Sequence, residues 1–235
     1  MQLLFSKLIS GKSILLDETE SRHLKVMRLG LNDTIHVTDG EGNLYESRIT
    51  HIGRGQATAE ILKSTKPQPE KDCSLHIAIS PTKNIDRFEW FLEKATEIGV
   101  SEISPLICHR SERVKINTER LQRILVSAIK QSLRTIIPRL NSPVSFNEFI
   151  KRNITGQGCI ASCMQSDIKE LQYVYTTGSD LVVLIGPEGD FTGEEIAKAL
   201  EVGFKAVSLG ESRLRTETAG VYISALFNIL NTKIN

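Results

Sequence analysis

The chain has 235 residues, with 29 Lys and Arg against 28 Asp and Glu, a formal net charge of +1 and 40% hydrophobic residues. That length holds either one large globular domain or a small domain joined to a larger one, each able to bury a core. No apolar stretch approaches the ~18 residues of a membrane span, and the N-terminus lacks the basic-then-apolar pattern of a signal peptide, so a soluble, cytoplasmic protein is expected.

In chain order, residues 1–66 read as short strands at 2–5, 13–16, 34–38, 44–50 and 57–62, with one helix at about 18–28. Asp39-Gly40-Glu41-Gly42-Asn43 supplies turn chemistry between two of the strands, and the set predicts a small β-barrel. Residues 64–72 are polar and interrupted by Pro67 and Pro69, which makes them the best linker. Domains are accordingly expected at 1–68 and 72–235.

Beyond the linker, strands and helices alternate. Strands are expected at 75–80, 100–108, 159–163, 181–185 and 204–209, and helices at 86–98 (closed by Gly99), 118–134, 194–202 and 217–230. This rhythm predicts an α/β domain with a mostly parallel sheet and helices on both faces.

Cys73, Cys108, Cys159 and Cys163 form no CxxC pair and no zinc-like array with the scattered histidines, so ordinary thiols and no metal are expected. Charge is locally uneven: Arg110, Arg113, Lys115, Arg120, Arg123, Lys130, Arg134 and Arg139 face only Glu112 and Glu119. At 100° per residue Arg120, Arg123, Lys130 and Arg134 share an arc of roughly 80°. A one-sign face beside the cationic segment at 109–113 favours a phosphate backbone as partner. Arg22, His23, Lys25 and Arg28 add positive charge to the first domain.

Several motifs are set aside. Gly11-Lys12-Ser13 resembles the end of a phosphate loop, but Ser6 stands where its first glycine is required, and no GxGxxG, HExxH or GxSxG occurs. What remains is a pair of strand-to-helix loops: Leu181-Val182-Val183-Leu184-Ile185 enters Gly186-Pro187-Glu188-Gly189, and Ala206-Val207-Ser208-Leu209-Gly210 enters a loop rich in Arg, Thr and Glu. Thr192 and Glu195 form a T-x-x-E capping box for the helix after the first loop. In open α/β sheets such strand ends are where ligands bind.

Leu184-Ile185-Gly186-Pro187-Glu188-Gly189, Leu209-Gly210 and Leu214-Arg215-Thr216-Glu217-Thr218-Ala219 together resemble the SPOUT class of methyltransferases, and specifically its RsmE family, which methylates N3 of a uridine in 16S ribosomal RNA. The likeness spans nearly the whole chain, through His23-Leu24-Lys25-Val26-Met27-Arg28, Asp39-Gly40, Lys83, Arg87, Glu89, Lys94, Glu97-Ile98-Gly99-Val100, Arg110-Ser111 and Gln131-Ser132-Leu133-Arg134. In three places the chain departs from the family pattern: Asn32 and Asp190 replace glycines, and Ser212 replaces an arginine, with Arg213 one position on.

The resemblance implies a PUA-like N-terminal barrel, a C-terminal SPOUT domain tied in a trefoil knot, a homodimer, and S-adenosylmethionine as methyl donor. It implies Ile185, Gly186, Pro187, Glu188, Gly189, Leu209, Gly210, Leu214, Arg215 and Thr216 as cofactor residues, and Arg215, Glu217 and Arg213 as catalytic ones. Arg22, Arg28, Arg110, Arg113, Arg120, Arg123, Lys130 and Arg134 are the expected contacts to 16S rRNA in the 30S subunit. Ribose 2′-O-methylation and a non-catalytic RNA-binding assembly factor are the alternatives.

Overall fold

A computed structural model describes residues 2–67, 72–162 and 168–232. It comprises two compact units, one of Met1–Pro69 with Val126–Ile137 and one of Glu70–Leu125 with Pro138–Asn235. Among the described residues no helix is long and apolar enough to cross a membrane.

In the first unit, β1 (Leu3–Phe5), β2 (Ile9–Ser10), β3 (Ser13–Leu16), β4 (Thr34–Thr38), β5 (Leu44–Ile52) and β6 (Ala57–Thr65) form one sheet in the order β1-β4-β5-β6-β3-β2. The two edge strands, β1 and β2, are separated only by Ser6, Lys7 and Leu8, so the sheet must curl on itself. The seam is held by Ser6 N–H donating to Thr38 O (3.0 Å), Ser6 Oγ to Leu15 O (2.6 Å) and Leu15 N–H to Leu8 O (2.9 Å). Alternate residues of the strands, among them Ile14, Leu16, Ile35, Val37, Ala57 and Ala59, point inward onto Leu24 of α1 (Glu18–Val26).

The strand β2 is too short to show a period in sequence. Ser64 and Thr65, expected in the linker, belong to β6, where they pair with Tyr45 and Leu44; the β5 ladder satisfies their backbone although their side chains are polar. Residues 68–71 of the expected linker lie outside the described residues.

Helix α1 and α3 (Thr118–Ser132) both end on a non-glycine residue in the left-handed region, Arg28 at φ 58° and Leu133 at φ 58°. After each, the next N–H reaches back to a carbonyl five residues earlier, Leu29 to Leu24 (2.9 Å) and Arg134 to Ile129 (2.9 Å), the bond of a Schellman cap. The helix expected at 118–134 therefore stops before Leu133, and Arg134 leaves the cationic helix face. Leu133 is 43% exposed, so in Leu133→Gly relief of the ~1–2 kcal/mol of left-handed strain is offset by a looser unfolded chain and by the lost contact of a half-covered side chain. Stability in urea unfolding should stay within about 1 kcal/mol of the parent, where a leucine-to-glycine change inside a helix would cost more.

The turn after β4 is organised by Asp39. Its carboxylate accepts from the N–H groups of Glu41 (2.8 Å) and Asn43 (3.2 Å), the Asn43 side chain (2.5 Å) and the Tyr45 hydroxyl (3.2 Å). Burial works against its charge, but the hydrogen bonds from Asn43, Glu41 and Tyr45 outweigh it and hold the carboxyl below the usual range. A depressed folded-state pKa gives stability that is fully present above the unfolded value and lost as pH falls through the folded one. Asp39→Asn should therefore unfold roughly 1–2 kcal/mol more easily at neutral pH, and this deficit should shrink as pH falls below the ordinary Asp value of about 3.9; a deficit unchanged by acid would contradict the ionic role.

The second unit holds a wholly parallel sheet. Strands β7 (Leu75–Ile79), β8 (Glu102–Ile107), β10 (Val144–Ser145), β11 (Gln157–Ala161), β12 (Leu181–Ile185) and β13 (Lys205–Val207) run in the order β10-β8-β7-β12-β11-β13, and β9 (Arg139–Leu140) also pairs with β8. On one face Ala78, Ile160, Val182 and Leu184 pack with α4 (Phe146–Phe149) and α6 (Gly193–Glu201) through Phe146, Phe149, Ile196 and Ala199. On the other lie α2 (Ile85–Ile98) and α7 (Thr216–Asn231), which meet so closely at Gly220 that a Cβ there would stand 2.4 Å from the Phe91 ring. The expected α/β sheet with helices on both faces is present. Short elements such as β9, β10, α4 and α5 (Leu171–Val174) carry too few residues to announce themselves, and residue 163 of the expected strand 159–163 lies outside the described residues.

Candidate active site

Because β11 lies between β12 and β13 and all three are parallel, the loops leaving their C-terminal ends emerge on one edge of the sheet. Residues 186–191 follow β12 and residues 208–215 follow β13. Between them is a cavity of about 540 Å³, a normal size for a small-molecule site. Ile185, Gly186, Pro187, Glu188, Leu209, Gly210, Leu214, Arg215 and Thr216 line it, together with Arg213. The two loops are latched by Thr216, whose buried hydroxyl donates to Gly186 O at 3.0 Å.

Gly210 has φ 108° and nothing within 4 Å of a Cβ built on it, so the backbone there is exposed to the cavity in a conformation side chains resist. Gly186 is tight instead: a Cβ would lie 3.1 Å from the backbone N of the fully buried Phe191. Gly189 does not line the cavity. It faces Arg110, whose Cδ would be 3.3 Å from a Cβ and whose Nη1 donates to Gly189 O at 2.6 Å and Phe191 O at 3.4 Å. Arg110 thus clamps the first loop from behind.

Arg113 makes a second clamp, donating to Lys83 O (2.7 Å from Nη2) and Thr82 O (3.2 Å), while Lys83 N–H donates to Glu188 Oε1 at 3.0 Å. The expected capping box is present, and Glu195 also accepts from His109 N–H at 2.9 Å, tying α6 to the loop after β8. Asp190 adopts φ 61°, as its place in a glycine position requires, and accepts from Ser162 Oγ at 3.1 Å. Ser162, Asp190, Ser208, Glu211, Ser212 and Ala219 also line the cavity. Ser162 is there because folding sets the end of β11 between the other two strands, whereas the other five lie on the same two loops and the first turn of α7, among residues already expected at the site.

Arg213, Leu214 and Arg215 have a second side. Together with Arg87 and Trp90 of α2 and Glu217 and Thr218 of α7 they wall an adjoining hollow, also of about 540 Å³. Glu217 is 8% exposed, with Oε1 3.9 Å from Arg87 Nε and Oε2 buried without a hydrogen-bond partner among the described residues. Arg215 is the N-cap residue of α7 and provides no side-chain cap.

The other cationic residues fall into different settings. Arg22 and Arg28 are exposed on the barrel unit, Arg22 in an ion pair with Glu18. Lys130 sits in a mostly buried pair with Glu20 (2.5 Å) and lies 3.0 Å from His23 Nδ1, a structural setting within the barrel unit. Arg120 pairs with Glu89 at 2.6 Å, and Arg123 is exposed. Burial and the nearby charge of Glu195 push the Cys108 thiol up, and burial lifts Cys159 to about 11, so neither is a nucleophile near neutral pH. Among the described residues no three His, Cys, Asp or Glu side chains group as metal ligands do.

Comparison with known proteins finds two family models in the chain, an RNA methyltransferase domain over residues 69–228 and an RNA methyltransferase PUA domain over residues 16–62. Ribosomal RNA small subunit methyltransferase E of Synechocystis sp. is 30% identical over 212 residues, covering 88% of this chain and 69% of that protein. Among solved structures, a probable rRNA-methyltransferase from Porphyromonas gingivalis aligns with a TM-score of 0.91 at 34% identity, covering 98% of both chains. A ribosomal RNA small subunit methyltransferase E from Neisseria gonorrhoeae, bound to S-adenosyl methionine, aligns with a TM-score of 0.87 at 30% identity, again over 98% of both chains.

Proposed function

The chain belongs to the RsmE family of ribosomal RNA small subunit methyltransferases, with a PUA-like barrel and a SPOUT-type α/β domain, and from that premise we propose that it methylates N3 of a specific uridine in 16S rRNA, using S-adenosylmethionine, on the 30S subunit in the cytoplasm. The observation that carries this reading is the single cavity formed by the two loops and latched by Thr216. Its wall suits the donor: Ile185, Leu209 and Leu214 offer apolar surface, Gly186 and Gly210 offer backbone, and Glu188, Asp190 and Glu211 offset a cationic ligand. Ile185, Gly186, Pro187, Glu188, Leu209, Gly210, Leu214 and Thr216 would hold it directly, with Gly189 supporting the first loop through Arg110.

When bound, S-adenosylmethionine supplies an electrophilic methyl group on a sulfonium. Uracil N3 carries a proton held well above neutral pH, so the protein must assist its loss and stabilise negative charge on O2 and O4. Arg215 is the principal donor for that charge and Arg213 the second, both at the wall of the donor cavity. Glu217 is the proton acceptor. Arg22, Arg28 and Arg134 on the barrel unit contact RNA phosphates, and on the α/β unit Arg110, Arg113, Arg120 and Arg123 supply positive charge for the same role. The protein works as a homodimer, a reading supported by exposed Tyr222 and Ile229 on one face of α7.

The test is methyl transfer from labelled donor to 30S subunits lacking the modification, followed by mass spectrometry of the nucleosides. N3-methyluridine is the expected product. A 2′-O-methylated nucleoside would replace this reading with ribose methylation, and failure to bind the donor would leave an RNA-binding factor.

A further inference from the structure

We propose that the hollow between α2, Arg213, Arg215 and the first turn of α7 seats the target uracil ring, with Trp90 as the stacking platform and Glu217 reading the N3–H; this rests on the uridine-N3 reaction above. Three observations converge there. Trp90 is 44% exposed, while Phe88 and Phe91 on the same helix are fully buried, so its ring serves the hollow and not the core. Arg87 stands one turn before it on α2, and unpaired bases are bound by stacking on aromatic rings beside cationic side chains.

The second observation is the half-satisfied carboxylate. A side chain as buried as Glu217 ordinarily has partners for both oxygens, and its Oε2 has none among the described residues. A carboxylate only accepts, and Oε1, 3.9 Å from Arg87 Nε, is beyond hydrogen-bond reach of it, so the Glu217 side chain at the wall of the hollow is left to take a donor that enters there. The third is pattern. The pairing edge of uracil presents acceptor, donor, acceptor at O2, N3–H and O4; an acidic residue flanked by Arg87 and Arg215 presents donor, acceptor, donor. Cytosine offers a lone pair at N3 and is refused by the same carboxylate. The start of α7, which Arg215 leaves without a side-chain cap, adds a field that favours negative charge on the ring.

In the step itself the N3–H bond breaks and its proton passes to the Glu217 carboxylate, while the electron pair left on N3 forms the bond to the methyl carbon. The carbon–sulfur bond breaks with its pair retained by sulfur, and Glu217 returns the proton to water after product leaves.

Trp90 is the sole tryptophan, so its emission reports on this hollow alone. The full-length protein, loaded with S-adenosylhomocysteine, is titrated with an end-labelled single-stranded RNA carrying one uridine among cytidines, and with the same strand carrying N3-methyluridine. Saturable quenching is expected for the first and at least ~5-fold weaker binding for the second. On unmodified 30S subunits, Trp90→Ala should lose about 100-fold in kcat/KM and Trp90→Phe no more than about 10-fold, with donor affinity by calorimetry within about 3-fold of the parent. Glu217→Gln should leave a residual rate that rises about tenfold per pH unit. Methylation by Trp90→Ala within 3-fold of wild type overturns the proposal whatever the affinity of the short RNA, as does RNA binding, seen by anisotropy, that leaves Trp90 emission unchanged. Either result with N3-methyluridine still formed by wild type sinks only this inference, whereas a different wild-type product sinks the reaction it rests on.

Discussion

Arg215→Ala is expected to lower methyl transfer to unmodified 30S subunits by about 10²–10³-fold while changing donor affinity by less than about tenfold. The residue sits at the junction of the donor cavity and the adjoining hollow, on the loop that enters α7. The bond from that guanidinium to a uracil carbonyl strengthens as charge builds on the N3 anion, so its loss should appear in kcat more than in KM. Arg215→Lys keeps the charge but not the planar fork and should recover only part of the rate. Wild-type turnover by Arg215→Ala, with folding and donor binding intact, would move the role to Arg213, which shares both walls.

Gly210→Val should reduce S-adenosylmethionine affinity by at least ~100-fold, equivalent to about 2.7 kcal/mol, without unfolding either unit. Two effects add. A φ of 108° is a glycine conformation, and holding a branched residue in it costs on the order of 1–3 kcal/mol. The space around its Cα is the cavity itself, so the side chain would occupy room the donor needs. Gly189→Val makes the contrast: its Cβ meets Arg110 outside the cavity, so the loop clamp weakens and affinity should fall less. Calorimetry on both variants checks the order, and equal affinities would contradict the placement of Gly210 at the ligand.

Much of this was legible in the chain, because the relevant signals are local. The buried run 181–185 and the capping box at Thr192 and Glu195 depend on near neighbours, and both appear as expected. Asn32, which stands where the family pattern has a glycine, has φ 70°, a conformation asparagine tolerates. What could not be read depends on distant partners. The turn at Leu133 interrupts a helix whose sequence continues to look helical. Lys130 lies on the cationic arc by periodicity, yet Glu20, 110 positions earlier, claims it. Arg110 and Arg113 read as phosphate ligands, and nothing local shows that their guanidinium groups also hold backbone carbonyls, Arg110 those of Gly189 and Phe191 in the first loop and Arg113 those of Thr82 and Lys83 after β7. Trp90 gave no sequence signal, since an aromatic residue on an amphipathic helix usually belongs to the core; only its exposure beside Glu217 sets it apart.

The most direct test is a crystal structure of the protein grown with S-adenosylmethionine. The adenosyl group is expected between the loops at 186–188 and 208–214, with the methyl carbon directed toward Arg215 and the hollow containing Trp90. Donor bound elsewhere, or a methyl group turned away from Arg215, would contradict the assignment of these two loops as one methyl-transfer site.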